Sequence, residues 1–143
     1  MRSVAFLCAD VGRLFRKRFD HVARQFGMTG PQWRMLSMIA RTPGSRQATL
    51  AAELEVEAIT AARMLDRLQA AGLVTRDSDP ADRRAWCLRL TPTAEPLMDQ
   101  LVTHAAPIFA DALHGFSAEE AATLLALLER VRANLSEHAV ATP

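Results

Sequence analysis

The stretch from Leu50 to Thr91, LAAELEVEAITAARMLDRLQAAGLVTRDSDPADRRAWCLRLT, constrains this chain more than any other part of it. A short helical pattern runs from Leu50 to Leu54, and a second spans about Glu57 to Ala71. Gly72 stops the second helix, because a residue without Cβ readily takes the left-handed conformation that a helix end needs. Leu73 and Val74 open a strand, a polar turn covers Asp77–Arg84, and Ala85–Leu90 read as the returning strand.

Two helices followed by a hairpin outline a winged helix-turn-helix, in which the second helix lies in the DNA major groove. The hairpin tip is then expected in the adjoining minor groove, where a cation meets enhanced negative potential. The expected fold class is mainly α with a small β-wing.

The flanks are helical. Val4, Cys8, Val11, Phe15, Phe19, Val22 and Phe26 recur every three or four residues, the stripe of a long amphipathic helix that Gly27 ends. Leu7 and Leu14 widen it. Thr29-Gly30-Pro31-Gln32 has the form of a capping box, with Met28 and Trp33 at staple spacing. Trp33, Leu36, Met38 and Ile39 supply the buried side of this second helix, and Ser45 is the expected N-cap of the third. After the hairpin, Thr91-Pro92 reads as a cap followed by proline, and Pro96 and Pro107 predict a kink or break in the helix beyond. Gly115 ends that helix, and Ser117-Ala118-Glu119-Glu120 opens another that carries Leu124, Leu125, Leu127, Leu128, Val131 and Leu135. The tail Val140–Pro143 is expected to fray.

The first helix and the last two lie outside the reading unit and are strongly apolar on one side. In a lone chain they leave a long exposed stripe, and such stripes mark interfaces. Residues 1–28 and 92–143 are therefore expected to form a helical dimerisation region, and residues 29–91 the DNA-binding region, within one intertwined domain per chain.

Composition excludes several classes. The chain has 143 residues, half of them hydrophobic, which suffices for a folded core. No apolar run approaches bilayer length and no secretory h-region opens the chain, so a cytoplasmic, nucleoid-associated protein is expected. Cys8 and Cys87 stand in unrelated contexts and read as free thiols. His21, His104, His114 and His138 lack ligand spacing, and no motif asks for a cofactor or metal. A net charge of +1 does not announce a nucleic-acid binder, but a local cationic tip survives a neutral average.

The run Gly72-Leu73-Val74, Asp79-Pro80-Ala81-Asp82-Arg83-Arg84, Leu88-Arg89-Leu90-Thr91 resembles the wing of the MarR family of bacterial regulators, with the family's spacing reproduced without a gap. The likeness extends to Met28–Trp33, Leu50–Leu54, Ile59-Thr60 and Met64–Leu68. Gln32-Trp33-Arg34, Val56–Thr60 and Thr93–Leu97 look most like the SlyA branch. The resemblance implies a homodimer on a pseudo-palindromic double-stranded operator, with half-sites about one helical turn apart. It also implies repression or de-repression through small aromatic carboxylate or phenolic effectors.

By that pattern Arg84 sits at the wing tip and enters the minor groove, while Asp82 holds the loop through an ion pair or a turn hydrogen bond. Arg83 meets phosphate. Thr60 and Arg63 match family contact positions and share a helix face with Arg67, which is expected to touch phosphate or to pair with Asp66 or Glu53. Gln47 and Thr49, near the start of the preceding helix, are expected to donate to phosphates. A SlyA-like effector site implies Arg13 and Trp33, with Arg63 on the DNA side: an arginine fork for a carboxylate and an indole for a ring.

Glu53, Glu55 and Glu57 depart from the family by placing three carboxylates near the reading helix. Trp86 and Cys87 stand where relatives carry basic residues, and Trp86 is expected to pack under the wing with Leu88 and Leu90. Some relatives sense peroxide through a first-helix cysteine. Cys8, however, lies on the apolar stripe of a chain without tyrosine and is expected to be buried and inert. Two further readings stand beside the ligand-responsive regulator: a dimeric winged-helix interaction module without specific DNA binding, and a Cys8 redox sensor. No nucleophile elbow, glycine-rich phosphate loop or paired-carboxylate motif supports an enzyme.

Overall fold

A computed structural model describes residues 3–138. The expected fraying of Val140–Pro143 lies outside the described residues, as does the side chain of His138. The elements are α1 (Val4–Gln25), α2 (Gly30–Arg41), β1 (Ser45–Arg46), α3 (Gln47–Glu53), α4 (Ala58–Ala70), β2 (Val74–Ser78), β3 (Trp86–Leu90), α5 (Ala94–Ala112) and α6 (Ala118–His138). Contacts divide the chain into two units that meet within α5, after Ile108.

The core of the first unit is built where the apolar periodicities converge. Met35, Leu36 and Ile39 of α2, Leu65 of α4 and Leu101 of α5 are completely buried, and Leu50 of α3 nearly so. Met35 is a core residue that the helical stripe did not single out. Met38, expected there, is only partly buried. Thr29 closes the α2 start: its Oγ1 accepts from Gln32 N at 3.2 Å while its own N–H donates to Gln32 Oε1 at 3.0 Å. Met28 and Trp33 are buried on either side of that cap. Gly30 answers to a close approach, because Asp20 packs against α2 with its Oδ1 1.7 Å from where a Cβ would stand. The same oxygen accepts from Arg34 Nη1 at 3.2 Å, so α1 and α2 are joined where the helix begins.

The three strands form one antiparallel sheet in the order β1-β3-β2. Ser45 pairs with Leu88 and Arg46 with Cys87; on the other side the ladder runs from Val74 opposite Leu90 to Ser78 opposite Trp86. Strand β1 was not foreseen, since two residues carry no periodicity. It changes the role of Ser45, which is not a helix cap: its hydroxyl donates to Thr42 O, and α3 begins after Arg46 without a side-chain cap. Strand β2 runs two residues further toward the tip than expected and β3 begins one residue later, at Trp86, leaving residues 79–85 as the loop. Gly72 has φ 74°, the left-handed turn that ends α4 and starts β2.

Thr91 is likewise not a helix cap. Its hydroxyl donates to Gly72 O and its N–H to Leu73 O, stitching the two ends of the hairpin, and α5 starts later, at Ala94. Neither proline breaks α5. Pro96 lies in its first turn, and Pro107 sits on an exposed side of the continuous helix.

The second unit holds the end of α5 and α6. Ser117 N donates to Glu120 Oε2 at 2.9 Å and Glu120 N donates to Ser117 Oγ at 3.1 Å, the expected capping box. From Ala118 to Ser136, α6 buries no residue within the chain, and Leu125 and Leu135 are 64% and 71% exposed. No helix among the described residues is long and apolar enough to cross a membrane, and no group of three or more metal-ligating side chains occurs among them.

Candidate nucleic-acid interface

Helix α4 divides by its 3.6-residue period. Ala61, Leu65 and Leu68 are buried, which turns Thr60, Arg63 and Arg67 outward. Neither Arg63 nor Arg67 has an ion-pair partner among the described residues. The pairing foreseen for Arg67 with Asp66 is absent, because Asp66 is taken by Arg76 of β2 at 2.5 Å. Arg76 also donates to Ala62 O at 2.8 Å, and only 14% of its side chain is exposed. This arginine, which periodicity could not flag, locks β2 onto α4. The hairpin is thereby tied to α4 by a charged hydrogen bond as well as by the Leu88 core.

The wing loop is shaped by two aspartates that act on backbone donors. Asp79 Oδ1 accepts from Ala81 N at 2.9 Å, and Asp82 Oδ1 accepts from Arg84 N at 3.0 Å. Of the two links expected for Asp82, the turn hydrogen bond is the one present. Such side-chain turns let a short polar residue replace a backbone partner. Asp79 N–H donates to Ala85 O, and Ala85 N–H donates to Asp82 O, closing the loop. Arg83 and Arg84 are both exposed, and neither guanidinium has an ion-pair partner among the described residues.

A second clamp sits at the wing base. Arg46 Nη2 lies 2.6 Å from Asp79 Oδ2, linking the residue before α3 to the start of the loop. The Asp79 carboxyl is held below its ordinary value, first by the Ala81 N–H and then by the Arg46 cation, with partial burial acting the other way. Neither Arg46 nor Asp79 was singled out from the sequence for this role. The pair is invisible there because 33 positions separate its members, and only the β1–β3 pairing brings them together.

Gln47, Asp82 and Arg84 line one cleft of about 340 Å³ between the wing and the starts of α3 and α4. Trp86 lines it too. Its expected place beneath the wing is not found: Leu88 is fully buried, whereas Trp86 is 47% exposed. Trp86 pairs with Ser78 at the loop end of the ladder, two residues past Leu88, where the core has ended. Thr49 is exposed on α3, as are Glu53, Glu55 and Glu57 around the turn between α3 and α4.

A MarR family profile matches residues 26–85, from the end of α1 through the wing loop. The structure of transcriptional regulator PA3341 is 34% identical over 94% of this chain and 99% of its own, with a TM-score of 0.81. The chain belongs to the MarR family. A MarR-family regulator from Silicibacter pomeroyi is 27% identical over 91% of this chain and 88% of its own, with a TM-score of 0.80. Apo MarR from E. coli, 24% identical over 92% and 97%, shares the fold at a TM-score of 0.78. A SlyA-like regulator from Listeria monocytogenes, 20% identical over 96% and 92%, shares it at 0.81. The PA3341 protein and the Silicibacter pomeroyi relative are both named as transcriptional regulators.

The remaining residues of interest lie on α1 and α2 of this MarR-family chain. Arg13 is exposed, 3.8 Å from Asp10, and lines a cationic groove with Arg16, Lys17, Arg24 and Arg34. Trp33 does not line that groove. It is 8% exposed and meets Phe19 edge to face at 5.3 Å. Arg63 lines neither this groove nor the cleft beside the wing. Cys8 is exposed, contrary to the expected burial, along with Phe6, Leu7, Val11 and Leu14 of the same helix. The first half of the stripe, Val4 to Leu14, is exposed in the single chain, whereas Val22 is buried and Phe15, Phe19 and Phe26 pack against the core.

Proposed function

We propose that this MarR-family chain is a sequence-specific, homodimeric transcriptional regulator on a pseudo-palindromic operator. Residues 29–91 form its DNA-binding region, and residues 1–28 with 92–143 its dimerisation region. The reading is carried by one observation: Arg84 stands on a loop closed by Asp82, with its guanidinium unpaired and exposed. An arginine kept out of internal ion pairs at a wing tip is available to a minor groove. Thr60 and Arg63 read the major groove from the exposed face of α4. Arg67, Arg83, Gln47 and Thr49 take phosphates.

The dimer is supported by the apolar side chains of the terminal helices. Phe6 is 74% exposed, Leu125 64% and Leu135 71% in the single chain. A small aromatic carboxylate or phenol modulates DNA binding, with Arg13, Trp33 and Arg63 as its expected residues. Calorimetry with salicylate tests that set. If neither heat nor a change in operator affinity accompanies it, these residues bind no such effector.

The exposed carboxylates of Glu53, Glu55 and Glu57 favour a second reading, a winged-helix dimer that binds a protein rather than a duplex. Fluorescence anisotropy with an operator-length duplex from the regulator's own upstream region, against a scrambled duplex, separates the two. The first reading expects at least about a thousandfold preference, the lower end of the range of about 10³–10⁷ for specific over non-specific binding. Equal affinities reject it.

A further inference from the structure

The first turn of α4 carries an apolar side chain that the core does not use. Ile59 is 56% exposed, and among the described residues Ile59 and Trp86 are the two large hydrophobic side chains left exposed between residues 29 and 91. A single exposed isoleucine means little by itself. Its place distinguishes this one. It is the second residue of α4, at the end of a reading helix that meets base edges. Arg63 lies four positions on, one turn along the same face, and Thr60 is its neighbour. A β-branched side chain loses rotamer freedom in a helix and here gains little burial in return, so stability within the chain does not account for it.

The surrounding charges narrow what Ile59 can meet. Glu53, Glu55 and Glu57 are exposed around the same turn, and the Glu57 carboxylate makes no cap hydrogen bond. These carboxylates repel phosphate, and α4 has no cation before Arg63 to offset them. This end of the helix is therefore suited to the floor of the groove rather than to the sugar–phosphate strands. The apolar group on that floor is the thymine C5 methyl.

We infer that Ile59 is a specificity-determining residue that reads a thymine methyl in each half-site. The inference rests on the regulator reading above and adds a base that neither Thr60 nor Arg63 accounts for. Four residues of helix rise about 6 Å and base pairs stack about 3.4 Å apart, so the thymine lies roughly two base pairs from the guanine that suits Arg63.

The test removes the methyl and leaves the pairing edge intact. In the operator-length duplex from the regulator's own upstream region, thymines are replaced by deoxyuridine at symmetry-related positions, one pair at a time. Binding of the full chain is read by anisotropy at fixed salt. At one such pair the wild type should lose about fourfold per half-site, the value of one methyl leaving an apolar contact. Ile59→Ala should bind the thymine duplex more weakly and should treat thymine and deoxyuridine at that pair alike. Ile59→Val should keep most of the difference. The contact touches no phosphate, so affinity for a scrambled duplex and the salt slope should be the same in all three proteins.

If Ile59→Ala discriminates against deoxyuridine wherever the wild type does, the methyl is read by another residue and the inference falls. Equal losses on operator and scrambled duplex overturn it too, since Ile59 then supports the helix rather than reading a base. A wild type without preference for the operator sinks the regulator reading and this inference with it. A preferred operator that is indifferent to deoxyuridine at every position sinks this inference alone.

Discussion

Arg46 and Asp79 meet at 2.6 Å across the base of the wing, joining the residue before α3 to the residue that opens the loop. The pair makes the wing and the helix-turn-helix one mechanical piece, although the two stretches of chain are far apart in sequence. Since half of the Arg46 side chain is exposed, solvent screens the pair and its direct worth in stability is small. Its importance is geometric.

Asp79→Ala distinguishes geometry from charge. Removing a carboxylate near DNA should strengthen phosphate contacts if charge alone mattered. If the clamp and the Ala81 turn place Arg84, affinity should fall by about 1 kcal/mol, the scale of one lost hydrogen bond. Anisotropy at fixed salt decides, and tighter binding counts against the clamp.

The same carboxyl sets an acid limit. Its folded-state pKa lies below the ordinary 3.8, so its contribution is complete above that value and is lost as pH falls through the lower one. The wing should therefore keep one geometry from neutrality down to about pH 5 and loosen only in stronger acid. The Ala81 amide resonance, followed by NMR, reports this directly. A midpoint near neutrality would assign the transition to another group.

Arg84→Ala should cost about 1–3 kcal/mol of operator affinity and narrow the ratio between operator and scrambled duplex. Arg83→Ala should instead weaken both duplexes alike and reduce the salt slope by about 1, the behaviour of a phosphate contact. Anisotropy over a salt series resolves the two. If the two variants behave identically, the assignment of groove and phosphate roles is wrong.

The double change Leu124→Glu, Leu128→Glu places two carboxylates on one face of α6, where the parent side chains are 38% and 44% exposed in the single chain. An isolated chain tolerates charge there. A buried dimer face does not, because an unpaired carboxylate is costly to desolvate. Light scattering should show the mass fall to that of one chain, and operator binding should weaken with it. An unchanged dimer mass would move the interface elsewhere.

Glu55 carries φ 55° in the turn between α3 and α4, the one non-glycine residue at positive φ among those described. A left-handed residue with Cβ costs about 1–2 kcal/mol, and glycine returns about 0.4–1 kcal/mol through unfolded-chain entropy. Glu55→Gly should therefore stabilise the chain by about 0.5–1 kcal/mol. Thermal or urea unfolding measures it, and a loss of stability would mean that Glu55 makes a contact the turn depends on.

Local chemistry was legible without coordinates wherever cause and effect lie within a few residues. Thr29 with Gln32, Ser117 with Glu120 and Gly72 at the end of α4 each act through near neighbours, so composition and spacing determined them. The helical stripes likewise announced which faces are apolar, because periodicity is a property of the chain alone. Only the tertiary structure decided what those faces and side chains meet. Strand β1 recruited Ser45 away from the helix cap expected of it, Arg76 took the carboxylate of Asp66, and Trp86 ended at the rim of a cleft rather than under the wing. In each case the outcome depends on a partner ten or more positions away, and the energy of that contact does not exist until the chain has folded.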